Sequence, residues 1–114
     1  MDISTPLKPA VFHILLALAD HDAHGYAIMR AVREQSGGRV PLQTGSFYRH
    51  LSRLVNAGLI AEAPARKAPE DPRRGPSYRL TGRGRQVLAA EKQRLTELVA
   101  MMKGLRTAAP KAQP

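Results

Sequence analysis

The 114-residue chain contains no cysteine and no tryptophan, and aromatic residues make up only 4% of it. Without cysteine there is no disulfide, no thiolate metal ligand and no cysteine nucleophile. With so few rings the interior must be built from Leu, Val, Ile, Ala and Met; the 43% apolar content suffices for one packed core, and the length is too small for two. Long apolar runs are missing too: nothing approaches the roughly 18 residues that span a bilayer, and the first residues lack a basic stretch followed by an apolar core and a cleavage site. A soluble, cytoplasmic protein without membrane association is expected. Acidic residues are also scarce. Nine Asp and Glu stand against eighteen Lys and Arg, a formal charge of +9, which suits an anionic polymer or a membrane surface and by itself does not choose between them. Arginines outnumber lysines thirteen to five, and Arg is the better fork for phosphate oxygens and guanine edges, although genome base composition produces the same bias.

Catalysis finds no foothold. No Ser-His-Asp arrangement, phosphate-cradling glycine loop or carboxylate pair stands out, so neither an enzyme nor a cofactor is expected. His21 and His24 have a spacing that can hold a metal ion from a helix, but no carboxylate or thiol completes a shell, and capping or packing is the reading preferred for them.

What the chain does contain is a series of helical patterns. Residues 7–20 carry apolar side chains on nearly every face of a helix, so this helix should be buried on more than one side, with Pro9 in its first turn. A second, shorter helix follows, with Tyr26, Met29 and Val32 near helical spacing and Gly37-Gly38 as its stop. After a loop held by Pro41, Thr44 or Ser46 can cap a third helix that runs to about Ala57 and ends at Gly58. Residues 59–65 and 77–81 alternate as two strands, joined by a polar hairpin rich in Pro and Arg. Thr81 caps a last helix over 82–105, and residues 106–114 read as a disordered tail. The expected fold is mainly α with a small two-stranded β wing: a winged helix-turn-helix over 1–81 followed by a C-terminal dimerisation helix.

The third helix offers a face suited to DNA. Phe47, Leu51, Leu54 and Val55 form one apolar stripe, and the opposite face carries Arg49, Arg53 and Asn56, flanked by Ser46 and Ser52, with Tyr48 at the margin. Such a face can be an ordinary solvated surface. Three features argue otherwise: the helix is third in a triplet, contains no acid, and precedes a basic hairpin, as a recognition helix for the major groove would. The hairpin and its exit supply Arg66, Lys67, Arg73, Arg74, Arg79, Arg83 and Arg85, with Glu70 and Asp71 weakening the patch at its tip; these charges suit phosphate contacts, and a flexible, solubilising loop is the alternative.

Three local motifs resemble the PadR family of bacterial transcription regulators. They are "HGY" from His24, "GSFYRHLSRLVNAGLI" from Gly45 and "YRLTGRGRQVL" from Tyr78; with the first helix they cover roughly residues 7–105. Phe47 stands where the family usually has Leu or Ile. The single short C-terminal helix resembles the family's smaller subgroup, in which first and last helices make a two-fold dimer. The resemblance implies a repressor that binds an inverted repeat in double-stranded DNA as a homodimer.

The last helix fits that expectation. Leu88, Glu91, Leu95, Leu98, Met102 and Leu105 alternate spacings of three and four, a coiled-coil-like seam broken by one acid; a stripe packed into the chain's own core has the same spacing. Helix one would meet it through Val11 and Leu15. A small-molecule effector at the dimer interface is implied by some relatives, without an identity; the last helix has no aromatic residue to stack on it. Two other functions use the same features: a weakly specific architectural protein of the nucleoid type, and a winged helix that binds a protein partner.

Overall fold

A computed structural model describes residues 5–63 and 75–106 of the chain. Four helices and a small antiparallel sheet follow in the order α1 (Pro9–Ala17), β1 (Ala23–His24), α2 (Gly25–Gln35), α3 (Thr44–Asn56), β2 (Ile60–Ala63), β3 (Ser77–Leu80) and α4 (Gly82–Met102). The winged helix-turn-helix expected from the sequence is present, with one addition. The sheet has three strands in the order β1-β3-β2, and β1 pairs with β3 through Ala23 opposite Tyr78 and His24 opposite Ser77. Two residues are too few to show a strand's period of two, which is why the pattern of side chains does not reveal β1.

The core is aliphatic, as the composition requires. Ile14 and Leu15 of α1, Ile28 and Val32 of α2, and Phe47, Leu51 and Leu54 of α3 converge with Leu59, Ile60, Tyr78 and Leu80 from the sheet side. Phe47 is fully buried at the centre, so its ring is tolerated as a core filler. Tyr26 departs from expectation: it is 69% exposed, and the buried stripe of α2 is Gly25, Ile28 and Val32. Val55 likewise sits at the exposed edge of the α3 stripe.

Helix ends are closed by backbone geometry more than by side chains. Gly58, at φ +80°, follows α3; its N–H donates to Val55 O at 3.0 Å, and the N–H of Leu59 donates to Leu54 O at 3.0 Å. A left-handed residue is needed to turn both N–H groups back onto the last turn, and glycine adopts it without steric cost. At the other end of α3 the cap residue is Gln43, with no side-chain cap bond, and Ser46 instead donates its hydroxyl to Gln43 O at 3.2 Å. Neither Thr44 nor Ser46 is therefore the cap.

Thr81 does cap α4. Its hydroxyl oxygen accepts from Gly84 N–H at 3.0 Å and lies 2.7 Å from Gly58 O and 3.0 Å from Leu59 O, so one side chain joins the end of α3 to the start of α4. Close approach continues at Gly84, where a Cβ would collide with the carbonyl oxygen of Leu59. Arg85 adds a bond to Ala19 O at 3.1 Å. These contacts fix the first turn of α4 against the winged domain.

Candidate nucleic-acid interface

α3 turns its apolar stripe inward and its polar residues outward. Tyr48, Arg49, Ser52, Arg53 and Asn56 are exposed on one side of the helix and line a shallow concavity of about 620 Å³ together with Gly45 and Ala57. No acidic residue occurs anywhere in the helix. The expected face is thus assembled, with one qualification: Ser46 is half-buried and already engaged with Gln43 O.

Two neighbours outside α3 extend this surface. Burial, together with the nearby charges of Arg53, Lys8 and Arg49, lowers the pKa of His50. The imidazole is therefore held neutral at ordinary pH, and the positive charge of the face comes from the arginines. Lys8, just ahead of α1, is close enough to act on His50, which makes it a basic neighbour that no local motif marks. The second neighbour is Gly25. A Cβ at Gly25 would lie 2.9 Å from the Tyr48 hydroxyl and 3.2 Å from its ring, so the glycine of the "HGY" motif provides the space in which Tyr48 packs against the start of α2.

The wing is described only at its base. Arg79 on β3 is exposed, as is Arg83 at the start of α4; Arg85 is occupied by Ala19 O. Arg66, Lys67, Arg73 and Arg74 lie outside the described residues.

The face of α1 and α4 differs from expectation. Val11 and Leu15 are buried in the protomer's own core, so these two residues are not available to a second chain. The open side of α1 is formed by Phe12 and Leu16 instead, and with Leu88, Lys92, Leu95, Thr96 and Val99 of α4 they line an apolar groove of about 400 Å³. A helix apolar on all sides gives no sign of which face its own domain takes. Leu95, Leu98, Met102 and Leu105 are all exposed, as are Val99 and Met101. Glu91 does not break a seam with solvent or a partner; it is buried within the protomer. Among the described residues, no helix is long and apolar enough to cross a membrane.

Comparison with known proteins agrees with this architecture. The model of the PadR-like family of transcriptional regulators matches residues 14–90. An uncharacterized 37.1 kDa protein in transposon TN4556 of Streptomyces fradiae is 39% identical over 85 residues, which is 75% of this chain and 22% of that protein; the chain spans about a fifth of that relative's length. The crystal structure of a PadR family transcription regulator from Clostridium difficile is similar with a TM-score of 0.69 at 25% identity, over 85% of this chain and 97% of that one. That of Bacillus subtilis PadR in complex with operator DNA is similar in fold with a TM-score of 0.59 at 20% identity, over 96% of this chain and 54% of that one. With two thirds of its length matched by the family model, and with a winged helix whose third helix bears an exposed basic face, the chain belongs to the PadR-like family of transcriptional regulators.

Proposed function

We propose that this chain is a repressor that binds an inverted-repeat operator as a homodimer, placing α3 in the major groove and the basic wing on the phosphate backbone. The observation that carries the reading is the exposed, acid-free face of α3, on which Arg49 and Arg53 stand beside Tyr48, Ser52 and Asn56. Arg can donate two hydrogen bonds to the O6 and N7 edge of guanine, and Asn can pair with the N6 and N7 edge of adenine. The Bacillus subtilis PadR structure contains operator DNA, and the shared fold supports the same use here.

Dimerisation is supported by what α4 leaves uncovered. A soluble protein rarely exposes a contiguous apolar surface of this kind unless something docks on it. Two copies joined by a two-fold axis through the α1 and α4 groove would present two α3 helices to successive turns of one DNA face. The groove between protomers is also where a small apolar effector would sit.

The test is the binding of purified variants to operator DNA. Arg49→Ala and Arg53→Ala are expected to keep the fold, since both side chains are exposed. Where the arginine touches a base, its removal should weaken operator binding by roughly 1–3 kcal/mol and relax preference at one base position. Wild-type affinity in both variants would remove α3 from the groove.

A further inference from the structure

Glu91 is the one charged side chain that is buried among the described residues, at 3% exposure. Its carboxylate is fully engaged: Nε of Arg94 donates to Oε1 at 2.9 Å, a second guanidinium nitrogen donates to Oε2 at 2.8 Å, and the backbone N–H of Leu7 donates to Oε2 at 3.4 Å. The middle of α4 is thereby tied to the segment just ahead of α1. For packing alone an apolar side chain of similar size would serve as well, because a buried ion pair recovers little more than its desolvation cost. The fork lies within α4, between residues one turn apart, so what it adds is a fixed orientation of the Glu91 carboxylate, which is thereby held toward the Leu7 N–H, the bond that crosses from α4 to the domain.

Its place on α4 gives that orientation a consequence. Gly84 and Glu91 are the buried residues of the helix, and no residue of 92–102 is buried. Beyond Glu91, α4 continues for about 16 Å at 1.5 Å per residue, with its side chains along the open groove beside α1 or exposed. A tilt of roughly 10° at Glu91 would swing the far end by about 3 Å, close to the base-pair rise of about 3.4 Å. The angle of α4 on the domain is therefore on the scale that a dimer would translate into spacer length.

We propose that Glu91, clamped by Arg94 and by the Leu7 N–H, is the pivot that sets the angle between α4 and the DNA-binding domain, and so selects the half-site separation that the dimer accepts. The proposal rests on the dimeric reading above, with Glu91 as a positioning residue that touches neither DNA nor the partner.

The experiment compares the full-length chain with Glu91→Gln and with Arg94→Lys, which keeps the charge and loses the fork. Sedimentation first establishes the oligomeric state without DNA. Binding is then measured on a single half-site and on duplexes carrying two half-sites with the spacer changed one base pair at a time. The variants are expected to remain dimers, with half-site affinity within about twofold of wild type, while preference for the best spacer over its neighbours falls from about tenfold or more to about threefold or less. Arg94 is partly exposed, so Arg94→Lys carries the test should Glu91→Gln fail to fold. Dimeric variants with the wild-type spacer profile would overturn the pivot and leave the dimer standing. A monomeric wild type would overturn the dimer, and the pivot with it, before any DNA is added.

Discussion

Two glycines show how one missing side chain can serve structure at one place and a functional face at another. At Gly84 a Cβ would press on the Leu59 carbonyl and lie 2.6 Å from Leu80 Cδ1, and neither backbone nor core can retreat. Gly84→Ala should therefore cost about 1–3 kcal/mol of stability through overpacking, measured as a lower urea midpoint; an unchanged midpoint would mean that α4 can slide. At Gly25 the obstacle is the far end of Tyr48, an exposed side chain that can swing toward solvent. The neighbour is the flexible end of a side chain and not backbone, so Gly25→Ala should stay folded while its displaced Tyr48 weakens operator binding. Retained affinity in that variant would take Tyr48 out of the interface. Glu91 supplies a residue-scale prediction in pH. Hydrogen bonding from Arg94 lowers its pKa against the opposing effect of burial. The unfolded chain then binds this proton more readily, so the group's contribution to stability is complete above the ordinary Glu pKa of about 4.3 and is lost as pH falls through the lower folded value. Thermal melts from neutral pH down to about pH 3 should show a flatter acid limb for Glu91→Gln than for wild type. Parallel acid limbs would assign the pH dependence to other carboxylates.

At the scale of elements, legibility follows the length and amphipathicity of each segment. α3 is legible because thirteen residues separate a buried stripe from a basic face over more than three turns, and the cap at Thr81 because its hydroxyl precedes a long helical pattern. The exchange of Tyr26 for Gly25 in the α2 stripe is not, since both positions suit a helix and Gly25 is covered by Tyr48, a residue distant in sequence. The burial of Glu91 is hidden for a related reason. It stands in register with Leu88 and Leu95, and its burial depends on Leu7, 84 residues away in sequence, as well as on Arg94. α1 poses the same problem in apolar form, where Val11 and Leu15 go inward and Phe12 and Leu16 are left at the groove. The wing is an element whose role depends on charge. Replacing Arg73 and Arg74 with Ala should lower affinity for all DNA sequences and reduce the slope of log affinity against log salt by about two, if each neutralises one phosphate. A slope equal to that of wild type would make the wing a solvated loop.

For the whole molecule, the apolar surface on α1 and α4 and the basic face of α3 have to be explained together. Leu95 and Leu98 are exposed in the protomer, so changing both to Glu should leave the domain folded and yield a monomer, with operator affinity collapsing because two half-sites are no longer bound as one. Sedimentation over a wide concentration range, paired with circular dichroism, separates loss of assembly from loss of fold. The central claim is that these surfaces together read a specific DNA sequence. It is tested most directly by selecting bound duplexes from a random library with the purified wild-type chain, then measuring affinity for the selected site and for a scrambled duplex at one fixed salt concentration. An inverted repeat bound about a thousandfold or more tightly than the scrambled sequence is the predicted result. Equal affinity for the two duplexes would contradict it and leave an architectural protein that neutralises phosphate without reading bases.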